Sequence, residues 1–249
     1  MPLLSTAGLT KAFGALTAVS DVSLDVETGT LHSIIGPNGA GKTTLFNLLT
    51  AQHSPTAGRI MFDGQDITGA RPQQIAHLGI ARSFQRTNVF PALSVFDNVW
   101  VAAFARGSWR GLLWRSTDRY PQATARALGA LGEVGLGDKA GQPAGQISHG
   151  EQRQLELAIA LAAKPKLLLL DEPAAGLSAD ETQRMVALVR RLKGRYTILL
   201  IEHKMDVIMT ISDRITVMHF GRVIAEGPPG EIQRDAEVRR AYLGGVAAR

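Results

Sequence analysis

The chain has 249 residues, 45% of them hydrophobic, which is enough to bury a sizeable core and predicts one domain with two lobes. Its formal net charge is +5, but the basic residues are scattered and lack interleaved aromatic residues, which disfavours nucleic-acid binding. A solvated surface is favoured instead, and a basic face beside an anionic membrane leaflet is a further interpretation. Because the N-terminus does not resemble a signal peptide, no apolar stretch approaches about 20 residues, and cysteine is absent, we expect a cytosolic chain that reaches a membrane only through partners.

Changes in composition along the chain predict four regions within the single domain of residues 1–249. Residues 1–85 alternate short strands with turn signals, which indicates part of a central sheet together with an antiparallel β portion. Residues 86–163 lose strand character and are rich in Ala, Leu and Arg, which favours an inserted helical lobe. Residues 164–225 return to alternating strands and helices, and residues 226–249 form a C-terminal extension.

Individual elements follow from short apolar runs, which predict buried strands, and from apolar residues at helical spacing, which predict helices. The predicted strands are Leu31 to Ile35, Leu167 to Leu170 and Tyr196 to Ile201. The predicted helices are Thr43 to Thr50, Arg71 to Leu78 and Glu181 to Leu192. After Ile215 we expect two short strands around Gly221 and a final helix from Pro229.

A glycine-rich segment joins the first of these strands to a helix. The segment Gly36 to Thr44 reads GPNGAGKTT and meets the phosphate-loop pattern of Gly, four residues, Gly, Lys and Ser or Thr. Its glycines let backbone N–H groups turn inward, and the helix start adds partial positive charge, so the loop suits a polyphosphate. A chance glycine-rich turn is the alternative, and the strand–loop–helix context disfavours it. The predicted binding residues are Gly36, Pro37, Asn38, Gly39, Ala40, Gly41, Lys42, Thr43 and Thr44.

Three side chains of this loop have separate predicted roles. Lys42 is expected to reach the β- and γ-phosphates of a nucleoside triphosphate, and Thr44 is expected near the α-phosphate. The hydroxyl of Thr43 is expected on Mg²⁺. The loop therefore predicts ATP and Mg²⁺ as the ligands.

Two acidic residues follow the buried strand Leu167 to Leu170. Charge at the carboxyl end of such a strand lies where open α/β sheets bind ligands. Asp171 can hold Mg²⁺ directly or through water, and Glu172 can orient and deprotonate an attacking water. The alternative is a solvated acidic turn, which the upstream phosphate loop makes the weaker interpretation.

A histidine follows the strand Tyr196 to Ile201. His203 at this edge could hydrogen-bond a γ-phosphate and orient the transition state, although a lone histidine is more often structural. Its position just past a second strand end favours the functional interpretation. The other histidines show no metal-ligand spacing, and there is no cysteine to join them.

The segment Ile147 to Arg153 reads ISHGEQR and precedes a helical pattern. Ser148 stands three residues before Glu151, which predicts a capping box, and a well-started helix is a sufficient explanation by itself. The functional alternative is a second phosphate-binding end, built from the Ser148 hydroxyl, the Gly150 amide and the helix dipole, with Glu151 beside them.

These three motifs in this order resemble the ATP-binding cassette ATPases of membrane transporters, and the resemblance covers nearly the whole chain. It implies an α/β phosphate-loop fold with a mainly parallel central sheet, an antiparallel β subdomain and an inserted α-helical subdomain. It also implies that two cassettes sandwich two ATP molecules, with the signature segment of one cassette closing over the ATP of the other. By the same resemblance, Phe13 stacks on adenine, Gln85 senses the γ-phosphate and Mg²⁺ as a catalytic and metal-binding residue, and His203 is the switch histidine. A core aromatic residue is the alternative for Phe13.

Two positions depart from the pattern of that family. His149 stands in the signature where a glycine is commoner, and Ser178 stands where many relatives have Asp. Asp180 comes two residues later and is a poor substitute. An acidic group acting across the interface between cassettes is therefore in doubt.

Further segments point to one branch of the family. The motifs SHGEQR, DEPAAGL, IEHKMDVIM and RAYLG resemble the ATPases of branched-chain amino-acid uptake systems, and residues 80–98 are similar to the longer of their two ATPases. This resemblance implies a second ATPase that is identical or paralogous, two transmembrane permease subunits, a periplasmic solute-binding protein and a place on the cytoplasmic face of the inner membrane. The alternatives are an ATPase of lipopolysaccharide export or of urea and amide uptake, and a cytosolic cassette ATPase that works on nucleic acid or ribosomes. A nucleotide-binding regulator without catalysis is disfavoured because Glu172 and His203 are both present.

The tryptophans all fall in the predicted helical lobe. We expect Trp100 to be a packing residue. The stretch around Trp109 and Trp114 lacks clear periodicity, so a projecting loop is as reasonable as packing. We hypothesise that this loop and the segment Gln85 to Val95 receive the coupling helix of a transmembrane partner.

Overall fold

The computed structural model describes residues 1–83, 89–106 and 120–243, and within them two β-sheets are flanked by helices. The strands are β1 (Leu4–Phe13), β2 (Leu16–Val26), β3 (Leu31–Ile35), β4 (Ala57–Phe62), β5 (Gln65–Asp66), β6 (Ile80–Ser83), β7 (Leu167–Asp171), β8 (Thr197–Ile201), β9 (Arg214–His219) and β10 (Arg222–Gly227). The helices are α1 (Lys42–Leu49), α2 (Pro72–Leu78), α3 (Val95–Ala105), α4 (Pro121–Val134), α5 (His149–Ala162), α6 (Ala179–Leu192), α7 (Met205–Ile211), α8 (Pro229–Ile232) and α9 (Ala236–Leu243).

The larger sheet has the strand order β10-β9-β3-β8-β7-β6 and is parallel except for β10. Every residue of β3, β7 and β8 is buried, as continuous apolar runs covered on both faces require. Asp171 at the end of β7 is in register with Ile201 of β8, which in turn pairs with Ile34 of β3. The segments that follow these three strands therefore meet at one edge of the sheet.

The smaller sheet is antiparallel and has the order β2-β1-β4-β5. Its apolar face shares one core with the larger sheet, and α1 contributes to the same core. Phe62 of β4, Phe46 of α1 and Leu199 of β8 are fully or almost fully buried in this cluster. Because α1 is held between the two sheets, the segment that leads into it has a defined position.

Helices α3, α4 and α5 pack against one another and against the opposite side of the larger sheet. Val99, Leu131 and Leu155 are fully buried in their common core. The ring of Trp100 stacks on Phe104 with 5.0 Å between ring centroids, which confirms the expected packing role. Trp109 and Trp114 lie outside the described residues.

The C-terminal elements complete the fold beside β3. Ile35 of β3, Ile208 of α7, Val217 of β9 and Val238 of α9 share a third buried cluster. Thus the extension packs directly against the strand that precedes the glycine-rich segment. Among the described residues, no helix combines the length and the apolar character needed to cross a bilayer.

Most predicted elements are confirmed within two residues at each end. The final helix predicted from Pro229 is wrong in one respect, because the structure has two helices there. Asp235 lies between them, and its Oδ1 accepts hydrogen bonds from the N–H groups of Glu237 (2.8 Å) and Val238 (2.9 Å), which starts a new helix. Strand β6 was not anticipated, since it is short and ends in the polar residues Arg82 and Ser83.

Candidate active site

The glycine-rich segment lies between β3 and α1 and is shaped by close backbone contacts. Gly36 and Gly41 have positive φ angles of 154° and 98°. A Cβ atom on Gly36 would lie 2.1 Å from a backbone carbonyl oxygen of β9, and one on Gly41 would lie 2.4 Å from a carbonyl oxygen of β2. Gly39 also has a positive φ, of 79°, but its Cβ would meet no atom within 4 Å. Packing therefore requires two of the glycines, whereas Gly39 borders open space that can admit a ligand.

The amine of Lys42 is buried and folds back over this loop. It donates to the carbonyl oxygens of Gly36 (2.7 Å) and Pro37 (3.0 Å). Burial lowers the pKa of Lys42, while the carboxylates of Glu172 and Asp171 oppose that shift. The loop thus carries a cation whose present partners are neutral carbonyl groups, and a phosphate would be the stronger partner.

Asp171 is almost fully buried at the end of β7, and its two oxygens differ. Oδ2 accepts a 2.6 Å hydrogen bond from Arg82 Nη2, and the same guanidinium donates to Asn47 on α1 through Nη1, also at 2.6 Å. Within the described parts of the chain, Asp171 Oδ1 has no hydrogen-bond partner although it is buried. Such an acceptor fits Mg²⁺ or a water bound to it, and the exposed hydroxyl of Thr43 follows Lys42 in the same loop.

Glu172 and His203 are brought together although they follow different strands. His203 Nε2 lies 2.6 Å from Glu172 Oε1, and both side chains are partly exposed. Glu172 has a φ of 52°, in the left-handed region that a glutamate rarely adopts, and its N–H donates to the carbonyl of Ile201 at 2.8 Å. Strained backbone of this kind concentrates at functional sites. The edge of the sheet therefore presents a fixed carboxylate beside the loop lysine.

The start of α5 has the predicted capping box. The Glu151 N–H donates to Ser148 Oγ at 3.3 Å, and the Ser148 N–H donates to Glu151 Oε2 at 2.9 Å. Glu151 also pairs with Lys139, and this pair, followed by the Ser148 N–H, holds the pKa of Glu151 below its usual range. The carboxylate of Glu151 is therefore already engaged on its own helix, whereas the Ser148 side chain remains exposed.

Two further predicted residues have contrasting outcomes. Phe13 lies at the end of β1 with 44% of its surface exposed, so it is not a core residue. Its ring contacts the edge of His53 at 5.4 Å and lies 5.0 Å from Lys11 Nζ. Gln85 lies outside the described residues.

Sequence reasoning missed several contacts around this site. Ser178 caps α6 through a second capping box with Glu181, and its SADE pattern repeats the spacing that identified the first one. Arg82 holds Asp171, and Lys204 Nζ donates to Thr182 Oγ1 at 2.9 Å beside the loop that follows Glu172. Nothing in the local pattern around Arg82 or Lys204 signals these long-range contacts.

Comparisons with known proteins identify the family of this chain. Residues 19–175 match the family described as ABC transporter, and residues 222–248 match the family described as branched-chain amino acid ATP-binding cassette transporter. The chain is 43% identical over 250 residues to the high-affinity branched-chain amino acid transport ATP-binding protein LivG of Escherichia coli K12, with 98% of each chain covered. It is 41% identical over 252 residues to BraF of Pseudomonas aeruginosa, a protein of the same description, again with 98% of each covered.

Solved structures give the same result for the fold. The ADP conformation of MJ1267, an ATP-binding cassette of an ABC transporter, is similar with a TM-score of 0.87 and 30% identity, over 98% of this chain and 99% of that one. The dimeric post-hydrolysis state of the cassette MJ0796, bound to ADP and Pi, is similar with a TM-score of 0.76 and 25% identity. That comparison covers 91% of this chain and 98% of the other.

Proposed function

Because this chain belongs to the ABC transporter family of ATP-binding cassettes, we propose that it is the ATPase subunit that energises uptake of branched-chain or other hydrophobic amino acids. The observation that carries this proposal is the 2.6 Å contact between His203 and Glu172 beside the phosphate loop. A regulator that only bound nucleotide would not need a carboxylate held in strained backbone at this edge. The match of the C-terminal extension supports amino-acid uptake over lipopolysaccharide export.

Nucleotide binding follows from the loop. The triphosphate of ATP lies along the inward N–H groups, with the open space at Gly39 receiving phosphate oxygens. Lys42 exchanges its two carbonyl partners for the β- and γ-phosphates, which an ammonium binds more strongly. Adenine stacks on Phe13, whose ring is accessible at the end of β1.

Residues of the same edge would hold Mg²⁺. The unpaired Oδ1 of Asp171 and the hydroxyl of Thr43 are the groups that fit it, and the family resemblance adds Gln85. When bound, the ion neutralises charge on the β- and γ-phosphates. Arg82 orients Asp171 by occupying its other oxygen.

Hydrolysis depends on Glu172. Its carboxylate orients and deprotonates the water that attacks the γ-phosphate. In the structure His203 Nε2 occupies this carboxylate, and in the proposed cycle His203 turns to the γ-phosphate and frees it for the water. The left-handed backbone of Glu172, tied to Ile201 through its N–H, fixes the point at which the side chain leaves the main chain.

Two cassettes are needed because each chain carries two half-sites. The start of α5, with Ser148 and Gly150, completes the site of a second ATPase, identical or paralogous, whose ATP it receives. Solved neighbours of this fold form dimers, which supports this arrangement. ATP thus draws the pair together and hydrolysis releases it.

The remaining partners follow from the same resemblance. Two transmembrane permease subunits anchor the pair at the cytoplasmic face of the inner membrane, and a periplasmic solute-binding protein delivers the amino acid to them. Phe90 and Leu93 support a docking surface before α3, because they are 59% and 38% exposed although apolar. Trp109 and Trp114, which lie outside the described residues, stay part of this proposed surface by prediction only.

The test compares two substitutions in the purified protein. Glu172→Gln is expected to abolish ATP turnover while ATP binding is retained, because the amide keeps the shape but cannot take a proton. Lys42→Ala is expected to weaken ATP binding by about tenfold or more, since a phosphate cluster loses its main cation. Asp206→Asn, which neutralises an exposed carboxylate on α7, serves as the control and leaves both properties unchanged.

The transport role needs a second measurement. Cells that lack the chain are expected to lose energised uptake of radiolabelled leucine, and a plasmid copy restores it whereas the Glu172→Gln copy does not. Normal hydrolysis by Glu172→Gln would remove that residue from its role. Co-purification with ribosomes, in place of hydrophobic membrane subunits, would overturn the transport function.

A further inference from the structure

A carboxylate from α6 covers the first turn of α5. Glu181 lies in the first turn of α6, and its Oε2 accepts hydrogen bonds from the N–H (3.0 Å) and the hydroxyl (2.8 Å) of Ser178. Its other oxygen, Oε1, lies only 2.6 Å from where a Cβ atom on Gly150 would stand. Glu181 therefore uses one oxygen to cap its own helix and places the second over the start of α5.

This contact is electrostatic as well as steric. The carboxylate of Glu181 lies close to the backbone of Gly150, and the N–H of Gly150 helps to stabilise its negative charge. The Ser178 N–H and hydroxyl, followed by Gly150 and Arg184, hold the pKa of Glu181 below its usual range, so the side chain is ionised at neutral pH. The start of α5 carries the partial positive charge of a helix N-terminus. A full negative charge thus already sits where the proposed function brings the γ-phosphate of the ATP held by the partner cassette.

We propose that Glu181 is a built-in anion that occupies the signature end of α5 until the γ-phosphate presented by the partner cassette displaces it. This inference rests on the proposed function, because it needs the ATP sandwich. Glu181 Oε1 already fills the space over Gly150, so a phosphate oxygen cannot enter it at the same time, and the repulsion between the two anions also opposes joint occupancy. Each time the start of α5 binds the γ-phosphate of a partner's ATP, the contact between Glu181 and Gly150 must therefore be broken.

The displaced side chain has an alternative partner. Arg184 lies one turn later on α6, at the i,i+3 spacing that permits an ion pair. Both side chains line a groove of about 240 Å³ between α5 and α6, which also includes Ser148, Gly150 and Gln154. Glu181 can swing towards Arg184 within this groove without any movement of the backbone.

The proposed contact also predicts that pairing discriminates between ATP and ADP. Bound ADP ends at the β-phosphate and presents no γ-phosphate charge across the interface, so nothing displaces Glu181. Bound ATP presents that charge. Glu181 thereby raises the concentration of ATP needed for pairing and keeps the two cassettes apart when ADP is bound.

The experiment measures ATP-driven pairing in a background that cannot hydrolyse ATP. The Glu172→Gln protein is titrated with ATP, and association is followed by analytical ultracentrifugation. If the partner cassette is a paralogue, the two are co-purified first. Glu181→Gln in this background is expected to lower the ATP concentration at half-maximal association by about fivefold, as removal of one charge from a helix start predicts. The amide still caps Ser178, so α6 stays intact. Asp180→Asn is the matched control, because it removes an exposed charge from the same turn of α6 without touching Gly150.

A second variant separates contact from charge. Glu181→Asp keeps the charge but is too short to reach Gly150 while it caps Ser178, so it too is expected to lower the midpoint. A Glu181→Gln midpoint that coincides with that of Asp180→Asn would overturn the inference alone. If the Glu172→Gln parent showed no ATP-dependent association at any concentration, the ATP sandwich of the proposed function would fail, and this inference with it.

Discussion

His32 makes the stability of this fold depend on pH. Its ring is 1% exposed within β3, and Nε2 lies 2.7 Å from Thr216 Oγ1. Thr216 in turn donates to Glu226, which also pairs with Arg214. Burial lowers the pKa of His32 to about 4, with Glu226 opposing the shift and Arg214 reinforcing it. His32 is therefore neutral in the folded protein at physiological pH.

The sign and size of the effect follow from linkage. In the unfolded chain the pKa of His32 is 6.5, so the unfolded state binds more protons than the folded state between pH 6.5 and about 4. The contribution of neutral His32 to stability is complete above pH 6.5 and is lost as the pH falls through this window. The difference between the two pKa values corresponds to about 3 kcal/mol in total, of which about 2 kcal/mol is lost by about pH 5.

The assay compares urea unfolding of the wild type and of His32→Gln at about pH 8 and about pH 5. Glutamine keeps a hydrogen-bonding group near Thr216 but does not titrate, and the carboxylates affect both proteins equally. We expect the unfolding free energy of the wild type to fall by about 2 kcal/mol more than that of the variant. His77→Gln, at an exposed position, is the control and retains the wild-type dependence. Equal pH dependence in wild type and His32→Gln would refute the reasoning.

The other predictions concern the active site. Gly36→Ala is expected to lower the unfolding free energy by about 2–3 kcal/mol, because the added methyl group meets a backbone carbonyl. Gly39→Ala is expected to lower it by only about 1 kcal/mol but to weaken ATP binding. Urea unfolding measures the first effect in both variants, and ATP titration measures the second. Equal destabilisation by both substitutions would contradict the packing argument. Lys204→Met is expected to lower kcat about tenfold at unchanged ATP affinity, because the loop after Glu172 loses its hydrogen-bonded connection to α6. Steady-state kinetics would measure this change, with Lys166→Met, at an exposed lysine, as the control. A change in KM alone would argue against the positioning role of Lys204.

The phosphate loop and the acidic strand end were readable from sequence because their chemistry is local. A loop that binds phosphate needs its glycines, lysine and hydroxyl within one turn of chain, so the segment from Gly36 to Thr44 contains the whole pattern. Asp171 and Glu172 directly follow an apolar run, which places them at a strand end by periodicity alone. The capping box of Ser148 and Glu151 is local for the same reason, and the equivalent box at Ser178 could have been found by the same spacing.

Contacts between distant segments could not be read in this way. The pairing of Arg82 with Asp171 joins the edge strand β6 to its neighbour β7, and the two residues are 89 positions apart. The approach of Glu181 to Gly150 depends on how α5 and α6 pack. A charged side chain in the first turn of a helix can adopt many solvent-exposed conformations. Only the packing of the helices selects the conformation in which it covers a neighbouring helix.

The sequence by itself predicted the fold class, through the family resemblance of its motifs, and it predicted the nucleotide chemistry and the residues expected to bind phosphate, because those motifs depend on spacing along a few neighbouring residues. Only the tertiary structure decided which glycines are required by packing, that His203 meets Glu172, and that Glu181 occupies the signature end of α5. Those relations depend on the register of parallel strands and the packing of helices. Both are set by the burial of apolar faces far apart in the chain, so no local pattern encodes them.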